Sequence, residues 1–172
     1  MENPQVGIIM GSASDIPTME EALQVFERFA VPYEMQILSA HRTPDETAAY
    51  AKGLAGRGVK ILIAGAGWAA HLAGSVAANT TVPVIGVPID SSALNGMDAL
   101  LSTVQMPPGV PVATMGIGKG GAYNAALFAV QILSLSDQDL ARRFAQFKRN
   151  MADEIMAKKN GELQEYLAKR KK

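Results

Sequence analysis

A run of four apolar residues, Ile61-Leu62-Ile63-Ala64, contains no polar side chain, and Val84-Ile85-Gly86-Val87 repeats that character. A strand with one solvent-facing side alternates apolar and polar residues, whereas a strand buried on both faces is apolar throughout. Both runs therefore predict central strands of a parallel sheet covered by helices on its two faces. Similar runs at residues 6–10, 33–38 and 112–115 bring the predicted number of strands to five.

Helical patterns separate these strands. Apolar residues recur at spacings of three and four from Ile16 to Ala30, which is typical of a helix with one buried face. The sequence Thr43-Pro44-Asp45-Glu46 predicts a second helix start, with a capping box and proline in the first turn. Further helices are predicted at residues 72–79, 97–105 and 121–133. The alternation of strands and helices predicts an α/β fold with a doubly wound parallel sheet, in strand order 2-1-3-4-5.

The length of 172 residues predicts one domain, residues 1–172. We expect residues 1–136 to form the sheet core and residues 137–172 a charged helical extension. The sequence Asn160-Gly161 predicts a break within that extension. A stripe from Phe144 to Ile155 at helical spacing leaves two interpretations open, namely packing on the sheet or contact between subunits.

Composition excludes several classes of function. Sixteen basic and sixteen acidic residues give no net charge, so the chain lacks the excess of positive charge that is typical of nucleic-acid-binding proteins. The absence of cysteine excludes thiolate nucleophiles and disulfides, and with two histidines it makes a metal site unexpected. Neither a basic leader nor an apolar run of the ~18 residues needed for a membrane span is found. We expect a cytoplasmic protein with no membrane partner.

Ligands of open parallel sheets bind beyond the carboxyl ends of the strands, so the loops there are the candidate site. These loops are rich in glycine, serine and charged residues, and they contain both histidines of the chain. They are Gly11-Ser12-Ala13-Ser14-Asp15, Ser39-Ala40-His41-Arg42-Thr43-Pro44, Gly65-Ala66-Gly67-Trp68-Ala69-Ala70-His71, Pro88-Ile89-Asp90-Ser91-Ser92 and Gly116-Ile117-Gly118-Lys119-Gly120-Gly121.

The first two loops combine groups suited to a phosphorylated ligand. Serine hydroxyls beside free amides at a helix start favour a phosphate, although Ser14 or Asp15 capping the helix is an equally good interpretation. A phosphate would be repelled by Asp15, which is better suited to a ribose hydroxyl. Arg42 can bind phosphate through two hydrogen bonds, and His41 can exchange protons near neutral pH. The alternative for this pair is an ordinary hydrogen-bonded surface histidine beside a solvated arginine.

The remaining loops are less informative. The loop at residues 65–70 has almost no polar side chains, so it forms either a small dry pocket with free amides or a tightly packed turn. Lys119, between glycines, either assists an anion or lies exposed. Neither a Walker sequence nor a dinucleotide-binding glycine pattern is present.

Taken together, these segments resemble one family, the bacterial 5-(carboxyamino)imidazole ribonucleotide mutases of purine biosynthesis. The resemblance covers about residues 5–135 in matching order. It rests on Gly11-Ser12-x-Ser14-Asp15, Ser39-Ala40-His41-Arg42-Thr43-Pro44, Ala64-Gly65-Ala66-Gly67, Ala69-Ala70-His71-Leu72, Ser91-Ser92-Ala93-Leu94-Asn95-Gly96-Met97-Asp98, Val104-Gln105-Met106-Pro107 and Gly109-Val110-Pro111-Val112.

The resemblance implies a three-layer flavodoxin-like fold, a homo-octamer, and an isomerase that moves a carboxylate from the exocyclic nitrogen to ring carbon 4 without a cofactor. It places the general acid/base at His41. It places phosphate contacts at Ser12, Ser14, Ser39 and Arg42, and the ribose contact at Asp15. It places the carboxylate pocket at the loop that contains Gly67 and Ala70, with His71 and Leu72.

Two departures from the family pattern concern the carboxylate pocket. Trp68 and Ala73 stand where the family usually has glycine and proline. Three other functions remain open at this point: a carboxylase that uses free carbon dioxide, a ribonucleotide-binding module without activity, and, more remotely, a receiver domain. The carboxylase branch tends to carry lysine in place of Arg42 and to lack the proline at position 44, so the sequence favours the mutase branch.

Overall fold

The computed structural model describes residues 3–170 and contains a five-stranded parallel sheet in the order β2-β1-β3-β4-β5. The predicted fold class and strand order are therefore confirmed. The strands are β1 (Val6–Met10), β2 (Tyr33–Ile37), β3 (Ile61–Ala66), β4 (Val84–Pro88) and β5 (Ala113–Thr114). The helices are α1 (Ile16–Arg28), α2 (Pro44–Gly53), α3 (Leu72–Ala77), α4 (Met97–Val104), α5 (Lys119–Ser134) and α6 (Gln138–Arg170), with short 3-10 helices at Ala13–Asp15 and Ala55–Arg57.

The central strands are buried on both faces, as their uninterrupted apolar sequence predicts. Every residue of β1 and β4 is buried, whereas β2 lies at an edge and exposes Met35 and Ile37. On one face, Leu62 belongs to the apolar cluster that contains residues of α2 and α3. On the other face, Gly65 lies so close to Met19 of α1 that a side chain there would overlap it. The two neighbouring helical layers thus fix the position of β3 and of the loop that follows it.

The start of α2 differs in one detail from the sequence prediction. The helix begins at Pro44, but the Thr43 side chain makes no capping hydrogen bond, so the predicted capping box is wrong. The Thr43 Oγ1 atom instead accepts a hydrogen bond from the Ser39 amide at 2.9 Å and donates one to the Ser39 carbonyl at 3.1 Å. The Thr43 hydroxyl therefore stabilises the loop before the helix, because both of its hydrogen-bond partners belong to Ser39, four residues earlier in that loop.

The carboxyl-terminal helix is longer than predicted. It continues from Gln138 to Arg170, so the predicted break at Asn160-Gly161 is wrong. One glycine inside a helix costs only about 1 kcal/mol relative to alanine, which does not end a helix by itself. Lys158 and Glu162 also form an ion pair one turn apart across this position.

The chain divides into two compact units, one ending at Ile132 and the other starting at Leu133. Within the second unit, the rings of Phe144 and Phe147 lie 6.0 Å apart, whereas Ile155 further along the predicted stripe is exposed. Over the described part of the chain, no helix is both long enough and apolar enough to cross a bilayer.

Candidate active site

A pocket of about 560 Å³ opens beyond the carboxyl ends of the first three strands. Its walls come from the three loops that follow β1, β2 and β3, with one residue from the loop after β4. The lining residues are Gly11, Ser12, Ser14, Asp15, Ser39, Ala40, His41, Arg42, Gly67, Trp68, Ala69, His71, Leu72 and Ser91. The sheet thus brings together groups that lie up to 80 positions apart in the sequence.

The loop after β1 is organised by hydrogen bonds among its own side chains. The Ser12 hydroxyl accepts a bond from the Ser14 amide, and the Ser12 amide donates to the Asp15 carboxylate at 3.1 Å. Ser12 caps the short 3-10 helix and the Asp15 carboxylate bonds back to the Ser12 amide, whereas Asp15 makes no side-chain cap for α1, so the interpretation that Ser14 or Asp15 caps that helix is wrong. Ser12, Ser14 and Asp15 all line the pocket.

Asp15 is almost completely buried, unlike the serines beside it. Burial raises the pKa of its carboxyl above the usual value, because the charged form loses hydration. The Ser12 amide, the Ser14 hydroxyl and the positive charge of Arg42 act in the opposite direction and partly offset that increase in pKa.

Arg42 joins the second loop to the first. Its Nη2 atom donates to the Gly11 carbonyl at 2.5 Å, and its Nε atom donates to the Ser39 hydroxyl at 3.4 Å. The guanidinium group therefore joins two walls of the pocket, and Arg42 remains exposed. A guanidinium in this position can bind an anion while it still holds the loops together.

The two histidines lie next to each other although thirty residues separate them. The Nε2 atom of His41 lies 2.7 Å from the Nδ1 atom of His71, and the rings meet edge to face. A contact of this length requires one nitrogen to donate and the other to accept, so the pair holds a single proton between its rings. A proton held in this way can be passed from one ring to the other and on to a bound ligand.

The loop after β3 is held by packing. A side-chain carbon added to Gly67 would lie 1.8 Å from the Ser91 hydroxyl, so a larger residue here requires a neighbouring group to shift. Trp68 follows with a positive φ of 55° and a side chain that is 65% exposed. Within residues 3–170, the amides of Gly67, Trp68 and Ala69 donate no hydrogen bond, and they remain available to a ligand.

The structure brings nearly all of the predicted site residues to this pocket. Ala70 is the exception, since its side chain is buried in the protein and Ala69 lines the pocket instead. Ser91 was absent from the prediction, although it lies in one of the candidate loops. Lys119 of the fifth loop forms an ion pair with Glu21 and does not line this pocket. Among residues 3–170, no three His, Asp or Glu side chains are grouped as a metal site would require.

These observations define a flavodoxin-like α/β protein with an open cleft at the carboxyl edge of its sheet. The family model described as AIR carboxylase matches residues 5–154. The chain therefore belongs to the AIR carboxylase family.

Relatives of known name agree with this assignment. The N5-carboxyaminoimidazole ribonucleotide mutase of Bacillus subtilis is 58% identical over 153 residues, which cover 89% of this chain and 94% of that protein. The mutase of Escherichia coli K12 is 50% identical over 155 residues, covering 90% of this chain and 92% of the relative. The crystal structure of Treponema denticola PurE is similar with a TM-score of 0.81 and 30% identity, covering 90% of this chain and 95% of that one.

Proposed function

We propose that this protein converts 5-(carboxyamino)imidazole ribonucleotide to 4-carboxy-5-aminoimidazole ribonucleotide, as an isomerase of purine biosynthesis. The observation that carries the proposal is the His41–His71 pair, which lies in one pocket with Arg42. The pair supplies a mobile proton, and the arginine supplies a fixed positive charge. Membership of the family, and the names of relatives at 50% to 58% identity, support the same reaction.

The polar end of the pocket is suited to the ribose phosphate. Ser12, Ser14, Ser39 and Arg42 offer hydroxyl and N–H donors to the phosphate oxygens, as in other anion sites near helix starts. Asp15 lies beside them and accepts hydrogen bonds, which suits ribose hydroxyls and not the phosphate. Binding of these parts orients the heterocycle toward the histidines before the reaction begins.

The proton balance of the reaction requires only one acid/base group. The bond between the exocyclic nitrogen and the carboxylate carbon breaks, carbon dioxide forms, and His41 protonates the nitrogen. Ring carbon 4 then attacks the carbon dioxide, and a new carbon–carbon bond forms. His41 finally removes the proton from carbon 4, which restores the aromatic ring and returns the enzyme to its starting state. The moving carbon is already on the substrate, so the chemistry needs no carrier cofactor.

His71 and the loop after β3 serve the carbon dioxide stage. The residues from Gly67 to Ala69 contribute only apolar side chains, of which Trp68 is large, together with free amides. An apolar wall limits water near a neutral gas molecule, and the amides can stabilise the carboxylate before and after transfer. The hydrogen bond between His71 and His41 keeps the catalytic ring in place between the two proton transfers.

The decisive test is turnover with substrate labelled with carbon-13 in its carboxylate, in unlabelled bicarbonate. A mutase retains the label in the product, whereas a carboxylase that uses free carbon dioxide dilutes it. His41→Asn removes the acid/base group, so we expect kcat to fall by at least about a thousandfold. Binding of 5-aminoimidazole ribonucleotide to this variant should remain within a few-fold of wild type. Near-normal turnover by His41→Asn would disprove the assignment.

We further propose that the enzyme acts in the cytoplasm as a homo-octamer. Support comes from the family resemblance and from an exposed apolar stripe of Leu94, Met97, Leu101 and Val104. A contiguous apolar surface of this kind is common at subunit contacts. Light scattering on the purified protein should give a mass near eight chains, and a monomer at working concentration would contradict this part of the proposal.

A further inference from the structure

Trp68 is the largest side chain on the pocket wall and the only tryptophan in the chain. Its indole is 65% exposed, whereas tryptophan is among the residues with the greatest average burial in folded proteins. It lies between Gly67 and Ala69, at the rim formed with His41 and His71. A large flat ring thus forms part of the wall of the pocket that contains the two histidines.

The backbone at Trp68 carries a conformational penalty. Its φ of 55° lies in the left-handed region, which costs residues other than glycine roughly 1–2 kcal/mol. Gly67 is packed against the Ser91 hydroxyl and lies near the Ile89 carbonyl, so the chain cannot relax here without moving the loop after β4. The backbone that carries the indole is therefore held in an unfavourable conformation, and the exposed ring gains little packing within this chain that would compensate for it.

The chemistry of the surrounding groups shows what the ring can contact. The phosphate and ribose end of the pocket is polar, and the histidine pair marks where the reacting heterocycle must lie. The indole of Trp68 lines the same pocket as His41 and Arg42, so it is a candidate surface for a flat heterocycle bound there. Stacking of a base on an aromatic side chain contributes substantially to affinity and depends little on which base is present.

We propose that Trp68 stacks on the heterocycle of the bound substrate and determines the preference of the site for ribonucleotides over ribose phosphates that lack a base. The proposal rests on the proposed function for the identity of the heterocycle. It assigns Trp68 a role in binding and specificity, and the proton transfers remain with His41.

Substitutions at position 68 separate stacking from apolar bulk and from backbone strain. Trp68→Phe keeps an aromatic ring, Trp68→Leu keeps apolar volume, and Trp68→Gly removes the side chain and the strain. We expect the Leu and Gly variants to bind 5-aminoimidazole ribonucleotide about tenfold more weakly, and the Phe variant to stay within about threefold of wild type. The affinity for ribose 5-phosphate should not change in any variant. Thermal unfolding monitors folding, and the Gly variant should be at least as stable as wild type.

The single tryptophan also reports directly on stacking in the wild-type protein. Iodide quenches the fluorescence of an exposed indole, and a base lying on the ring blocks that access. In carbonate-free buffer, 5-aminoimidazole ribonucleotide should lower the iodide quenching constant by half or more, and ribose 5-phosphate should leave it unchanged. Equal protection by both ligands, or by neither, would overturn the proposal.

The remaining outcomes are equally informative. If the Leu and Gly variants bind the ribonucleotide as tightly as wild type, Trp68 does not contact the base. If all three variants lose affinity for both ligands equally, the residue only supports the loop, and the proposal is wrong. If wild type shows selective protection by the ribonucleotide but no mutase turnover, the stacking role stands and the proposed function fails.

Discussion

The loop after β2 and the loop after β3 face each other across the same pocket, but they are held in different ways. In the first, the Thr43 hydroxyl bonds both backbone groups of Ser39, and Arg42 bonds the Gly11 carbonyl. In the second, Gly67 is fixed by contact with Ser91, and the side chain of Ala70 is buried.

This difference matches what each end of the substrate requires. A phosphate needs charged and polar groups in fixed positions, which a network of hydrogen bonds provides. Carbon dioxide needs a tight apolar wall, which close packing of the loop provides. A closely packed loop does not accommodate larger side chains. The comparison predicts that the loop after β3 is sensitive to size, whereas the loop after β2 is sensitive to hydrogen-bonding geometry.

Among the substitutions that test how the two loops are held, the largest effect is expected for Gly67→Ala. The added carbon would lie 1.8 Å from the Ser91 hydroxyl and 3.1 Å from the Ile89 carbonyl and Ser91 Cβ, so we expect the Ser91 side chain to move and the loops to shift with it. A displacement of about 1 Å in a positioned site can lower activity about a hundredfold, and we expect kcat/KM to fall by that order. The measurement is steady-state kinetics combined with chemical unfolding.

The double variant Gly67→Ala, Ser91→Gly is the matched control, because it removes the hydroxyl that the new carbon meets. In the Ser91→Gly background, the Gly67→Ala substitution should therefore lower activity much less than it does in the wild-type protein. This difference is the coupling between the two positions. Additive losses from the two substitutions would show that overlap with Ser91 is not the reason why glycine is required.

Arg42→Lys tests the opposite loop with an intermediate effect. Lysine keeps the charge but lacks the planar fork that reaches Gly11, Ser39 and a phosphate together. We expect KM to rise roughly tenfold to a hundredfold with kcat changed less than about threefold, since a charged hydrogen bond contributes about 1.5–3 kcal/mol.

Lys119→Met is the control for a general loss of positive charge near the sheet edge. Lys119 lies outside the pocket, and its side chain is exposed in its 3.5 Å ion pair with Glu21, so its removal should leave both constants unchanged. A fall in kcat for Arg42→Lys at constant KM would place Arg42 in the chemical step and contradict a binding role.

The architecture could be predicted from the sequence because the apolar runs and helical patterns that indicate it extend along the whole sheet-forming part of the chain. Uninterrupted apolar runs such as residues 61–64 fit a strand covered on both faces. A chain in which strands and helices alternate has few ways to form a parallel sheet, because its crossover connections must be right-handed. The site loops followed from the same reasoning, because ligands bind at the carboxyl edge of such sheets.

The details that escaped prediction depend on tertiary neighbours. Thr43 satisfies a capping pattern, but its hydroxyl bonds Ser39 within the preceding loop. Ser91 reaches the pocket because strand register pairs Ala66 with Pro88 and brings the two following loops together. No local pattern of residues encodes either the register or the direction of a loop side chain such as that of Ala70.

The smallest effect concerns Asp15, which is buried within the hydrogen-bonded side of the pocket. Burial raises the pKa of its carboxyl above the ordinary value of 3.8, so the folded state holds the proton more tightly than the unfolded state does. Its contribution to stability is therefore fully present below the unfolded pKa and is lost as pH rises through the folded pKa. Asp15→Asn removes this titration, and the difference in unfolding free energy, wild type minus variant, should decrease as pH rises from about 4 to about 7.

Urea unfolding at one fixed protein concentration measures this difference, since assembly makes stability concentration-dependent. Asp153→Asn, at an exposed position on α6, is the control and should give a difference that does not change over the same range. The hydrogen bonds from the Ser12 amide and Ser14 hydroxyl and the charge of Arg42 oppose the effect of burial, so we expect a small slope. If the difference instead increases with pH, these partners outweigh burial, and the hydrogen-bonded side of the pocket stabilises the charged carboxylate as well as the phosphate.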